Sequence, residues 1–83
     1  MSIDVFRTNT EARTSTEYVD QLIEAYRLAD ETADPEWNYE GRIAFIVDEL
    51  VTFRARTSGF GRGFQSIEAH ERLARQRLAA ARR

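Results

Sequence analysis

His70 is the only histidine of the chain and cysteine is absent, so few residues could carry nucleophilic, acid–base or metal chemistry. Without cysteine there is no thiolate nucleophile, no disulfide and no thiolate metal ligand. A Ser-His-Asp triad would have to join His70 to a distant serine, and no nucleophile-elbow pattern occurs. Glu68, His70 and Glu71 are close in sequence, but on a helix Glu68 and His70 point about 200° apart, and no second histidine supports them. The acidic stretch from Asp30 to Glu36 lacks the alternating oxygen ligands and central glycine of a calcium loop. The expectation is no catalytic residue, no metal site and no cofactor, with His70 a packing or solvent-edge residue.

The segment Gly59-Phe60-Gly61-Arg62-Gly63-Phe64 is the most suggestive motif. It leads into a helix start, where free backbone amides can hold an anion. A Walker loop requires lysine, and all 12 basic residues are arginine. A dinucleotide fingerprint requires a preceding strand in a βαβ unit. The segment also reads as one unit of an RGG-type element, with Phe60 and Phe64 stacking on bases and Arg62 contacting phosphate. Two other readings stand beside it: an interhelical loop whose phenylalanines fold back on the core, or a protein-binding loop.

Charge is divided along the chain. Residues 1–50 hold 12 of the 14 acidic residues and four arginines, a balance of −8; residues 51–83 hold two acidic residues and eight arginines, a balance of +6. Either the two parts attract each other within the fold, or they offer an acidic face and a basic face to partners. The acidic face would be Glu17, Asp20, Glu24 and Glu31, and the basic face Arg72, Arg75, Arg82 and Arg83. A pI near 5.4 works against nucleic-acid binding, because a duplex meets repulsion from the acidic half. The exclusive use of arginine fits coding in a GC-rich genome, such as that of a bacterium or its phage.

Three helices would position these residues. Thr8 with Glu11 and Thr14 with Glu17 both form capping boxes, and Thr14 is preferred because helical apolar spacing begins at Tyr18. The first helix, about 14–31, has Tyr18, Leu22, Ala25, Tyr26 and Ala29 on one stripe, widened by Val19 and Ile23. Asp34-Pro35-Glu36 starts a second, about 35–56, by cap, proline and dipole complement. It carries Tyr39, Ile43, Ile46, Val47, Leu50 and Phe53 on one face, with Trp37, Ala44 and Val51 on the shoulder, and should be the central helix. Gly41 weakens it or marks a later start. Phe45 projects away from that face, with Asn38, Glu49, Thr52 and Arg56. Ser66 caps a third helix, about 66–82, with Ile67, Ala74, Leu78 and Ala81 in a thin stripe. Glu68–Arg72 and Glu71–Arg75 are in the favourable i,i+4 order.

The fold class is therefore all-α: one domain over 1–83, a small three-helix bundle with a short N-terminal arm or strand (1–13) and a Gly-rich loop (57–65). A βααα variant, with the arm as a strand, is the alternative. No stretch approaches the roughly 20 apolar residues of a membrane span, and no secretory signal pattern opens the chain, so a cytoplasmic location is expected. A domain this small buries only about 60–65% of its unfolded surface, which makes self-association or partner binding an ordinary source of stability. The functional expectation is a non-enzymatic protein–protein interaction module, accessory or regulatory in role, binding a protein partner or itself. Its anchors would be Trp37, Phe45, Phe60, Arg62 and Phe64, since aromatics and arginine dominate binding hot spots. The alternative is a nucleic-acid-associated protein using the glycine loop and the arginines of the last helix.

Overall fold

The computed structural model describes residues 3–30, 37–58 and 66–82. They form four α-helices: α1 Ile3–Asn9, α2 Ser15–Tyr26, α3 Tyr39–Ser58 and α4 Ile67–Ala81. The all-α class holds, and there is no strand among the described residues. The helix count is four rather than three. The expected arm contains a helix, which an isolated seven-residue segment would not hold. Tertiary contact supports it instead: Phe6 is buried, its ring 5.4 Å from that of Tyr18 and 5.9 Å from that of Tyr26.

The start of α2 is the preferred Thr14 cap, with Glu17 reaching back to the amide one residue before it. The Thr14 hydroxyl accepts from the Glu17 amide at 3.1 Å, and the Glu17 carboxylate accepts from the Arg13 amide at 3.1 Å. Thr8 instead lies inside α1, its hydroxyl donating to the Asp4 carbonyl. The end of α2 falls five residues before the expected Glu31. Arg27 takes the left-handed conformation (φ 52°, ψ 40°), and the Leu28 amide donates back to the Ile23 carbonyl at 3.2 Å. This Schellman-type turn swings Leu28 into the core, where it is fully buried.

Asp34-Pro35-Glu36 lies outside the described residues, but Trp37 and Asn38 are not helical, so α3 begins at Tyr39 rather than at the expected Pro35. In α3 the cap is Asn38, whose Oδ1 accepts from the Gly41 amide at 2.7 Å. A Cβ on Gly41 would stand 3.2 Å from that oxygen and 3.4 Å from Trp37 Cδ1, so glycine gives the cap room. Ser66 caps α4 through the Ala69 amide at 3.1 Å.

The three longer helices pack mutually. Tyr18 stacks on Phe53 at 4.4 Å, and Tyr26 meets Phe45 in an edge contact at 6.1 Å, so α2 and α3 run antiparallel. Glu40 pairs with Arg75 while Val51 lies beside Ile67, so α3 and α4 are antiparallel too. The centre of the core is Leu22, Leu28, Ile46, Leu50, Ala74 and Leu78. The stripe of α2 is rotated from the expected one: Val19 and Ile23 are buried with Tyr18 and Leu22, whereas Ala25 is exposed. On α4 the inward residues are His70, Ala74 and Leu78, and the expected stripe members Ile67 and Ala81 are exposed. No helix among the described residues is long and apolar enough to cross a membrane.

Candidate interaction surface

Residues of α3 separate at 100° per position into two flanks on either side of its core face. The first flank is Arg42, Phe45, Glu49 and Phe53. The second is Ala44, Val47, Asp48 and Val51, with Glu40 at its N-terminal end and Arg54 one turn beyond Val51.

The first flank is covered. Glu49 is 2% exposed, and its carboxylate receives two donors from the Arg7 guanidinium of α1, Nε at 3.0 Å and Nη2 in a very short contact. The pair raises the pKa of Arg7, chiefly through that hydrogen bond. Burial, aided by the Glu49 charge, pushes the Tyr18 phenol up to about 12 and also raises that of Tyr26. Arg42 is buried and donates to the Asp30 carbonyl at 3.2 Å, tying α3 to the turn after α2. Phe45 is half-buried between Tyr26 and Trp37, whose ring lies 5.0 Å away.

The second flank is open. With α4 it borders a groove of about 490 Å³ whose apolar lining is Ile43, Ala44, Val47, Val51 and Ile67. Val51 is 36% exposed and Ile67 56%, two of the three large hydrophobic residues exposed among those described. Three carboxylates, Glu40, Asp48 and Glu71, edge this floor. Arg75 bridges two of them, donating to both Glu40 oxygens at 3.0 and 2.9 Å and to Glu71 at 2.8 Å. That contact holds the Glu40 carboxyl below its usual range, so it stays ionised.

Of the five expected anchors, Trp37 and Phe45 are packed on each other, and Phe60, Arg62 and Phe64 lie outside the described residues. The expected acidic face does not stand as one free row. Glu17 caps α2, Asp20 accepts two bonds from Arg77 at 2.7 and 2.8 Å, Glu24 is exposed, and Glu31 is not described. The basic face is similarly divided. Arg75 is held by its carboxylates, the Arg82 guanidinium lies 5.9 Å from the Tyr39 ring centre, Arg72 is exposed, and Arg83 is not described. The opposite charges of the two halves thus meet within the bundle at Asp20–Arg77 and Glu40–Arg75.

His70 is 2% exposed, and its Nδ1 has no hydrogen-bond partner. Burial, and then Arg54, lower its pKa, so it is neutral near pH 7. Among the described residues no group of three histidine or carboxylate side chains is placed to hold a metal ion.

Sequence periodicity puts Ile67 in the apolar stripe of α4 and Val51 on the shoulder of the α3 face, because it registers which residues share a side and not whether a neighbour covers it. It also misses Arg7 and Glu49, 42 positions apart in the chain. No protein-family model, curated protein or solved structure matches the chain.

Proposed function

We propose that this chain is a non-enzymatic protein–protein interaction module whose binding face is the groove between α3 and α4. The observation that carries the reading is that Val51 of α3, with Ile67 of α4, is exposed while Arg42 and Glu49 on the other flank of α3 are buried. Ala44, Val47 and Val51 recur at the i, i+3, i+7 spacing by which helical surfaces present anchors. Exposed apolar clusters rimmed by charge are characteristic of binding surfaces. Trp37 and Phe45 contribute through their packing to the stability of the site, and the contact centre moves to Val51 and Ile67.

The test is a tagged pulldown from lysate of the source cells, with and without nuclease, comparing wild type with Val51→Asp/Ile67→Asp. The expected result is a stoichiometric protein that survives nuclease and is lost with the double variant, whose thermal melt stays close to wild type. A partner that the double variant retains would refute the groove. Recovery that collapses on nuclease treatment would favour nucleic-acid association through the exposed arginines of α4.

A further inference from the structure

Resting on the groove as a binding face, we infer that its occupant is a basic amphipathic helix of another protein. The floor fits a helix. From Ala44 to Val51 the groove spans seven residues of α3, about 10 Å, the separation of anchors at i and i+7 on a docking helix. Ala44 at one end of this span allows close approach of a second backbone, while Val51 and Ile67 stand at the other end to receive a larger apolar side chain.

The rim selects the charge. Glu40, Asp48 and Glu71 are the charged residues among the described groove lining, and Arg75, outside that lining, is shared between Glu40 and Glu71. Arg54, one turn beyond Val51, faces His70 of α4. Three carboxylates and no guanidinium among the described lining residues make the groove itself negative. Cations on either side of an apolar stripe would meet it, and carboxylates there would be repelled. The same rim disfavours a second copy of this chain in two-fold contact, because an isologous interface brings two negatively rimmed faces together.

The experiment is fluorescence anisotropy with two labelled, side-chain-stapled helical peptides of about 14 residues, roughly 21 Å long. Both carry leucine at i, i+3 and i+7; one has arginine flanks and the other glutamate flanks. Wild type should bind the arginine peptide at least about tenfold more tightly than the glutamate peptide, with the difference shrinking in high salt. Asp48→Arg should weaken binding at least about fivefold, Val51→Glu and Ile67→Glu about tenfold, and Glu24→Arg, the same charge change on exposed α2 surface, less than about twofold. Thermal melts of each variant confirm the fold. Failure of the arginine peptide to bind overturns the inference, as does equal weakening by Glu24→Arg and Asp48→Arg, the mark of diffuse attraction. Equal binding of both peptides, still lost with Val51→Glu, overturns the basic occupant and leaves the groove standing. Binding indifferent to both Val51→Glu and Ile67→Glu overturns the groove as well. A dimer in sedimentation velocity that Val51→Glu dissolves would assign the face to a second copy.

Discussion

On one flank of α3 stand Arg42 and Glu49, two charged residues, yet both are buried; on the other stand Val47 and Val51, and Val51 is exposed. Composition alone would place them the other way round. The difference lies in what covers each flank. Phe6 and Arg7 of α1 reach the first, filling the space beside Tyr18 and Tyr26 and neutralising Glu49. Nothing among the described residues closes the second. In a bundle this small, burial follows from which neighbour arrives and only secondarily from how apolar a position is. A flank closed by a buried ion pair is specified by geometry, since Glu49 is tolerable there only with Arg7 in place. The open flank makes no such demand on the fold.

The comparison breaks most directly at the ion pair. Arg7→Met leaves a carboxylate buried without its partner, and the expected cost is about 3 kcal/mol, measured by urea denaturation. The ceiling is the stability of α1 docking, because α1 can detach and let water reach Glu49. Arg7→Met with Glu49→Leu should recover most of the loss, since an apolar pair of similar volume avoids the desolvation of two charges. A loss below about 1 kcal/mol in the single variant would show that α1 does not close this flank.

Titration sharpens the same contrast from two sides. Tyr18 belongs to the covered flank, with its phenol pushed up to about 12. Below pH 10 both states keep the proton; between pH 10 and about 12 the unfolded chain loses it and the folded chain does not, so stability falls as pH rises. Ultraviolet titration should show a tyrosine that ionises near pH 12 or only on unfolding, and a normal phenolate transition from Tyr18 in the folded protein would contradict its burial. His70 acts at the acid end. Its folded pKa is below 6.5, so the unfolded chain binds a proton first and stability declines as pH drops below 6.5 towards the folded value. Thermal melts should lose that component of the decline in His70→Gln, the other carboxylate titrations remaining.

Much of the bundle is legible in the sequence because its signals are local. The caps at Thr14 and Ser66 depend on residues three apart, and the core face of α3 through Ile43, Ile46, Leu50 and Phe53 repeats for several turns. What escapes is short or distant. Helix α1 has too few residues for a period to declare itself. The turn that sends Leu28 inward depends on a left-handed Arg27, where glycine would have signalled the helix end. The candidate site escapes for a third reason. Val51 and Ile67 carry the residue types of a core, and they are exposed because no element among the described residues covers that side of α3 and α4.

Arg27 offers a smaller effect that separates the turn from the flanks. A non-glycine residue in the left-handed region costs about 1 kcal/mol, so Arg27→Gly should raise stability by up to about that amount. A loss on substitution would show that the arginine side chain contributes more than its backbone strain costs.

The smallest expected effect on stability is the most informative about function. Val51→Thr keeps the branched shape and exchanges one methyl group for a hydroxyl at a position already 36% exposed, so the melt should move by no more than the equivalent of about 0.5 kcal/mol. The same exchange in a closed core would cost more, because the hydroxyl would need a hydrogen-bond partner. The contrasting measurement is Ile46→Val at the fully buried centre, expected at about 1 kcal/mol. If Val51→Thr costs as much as Ile46→Val, the second flank is closed in solution and the two sides of α3 are alike. If it costs almost nothing while weakening capture of the partner, the apolar flank is there for binding and the fold does not depend on it.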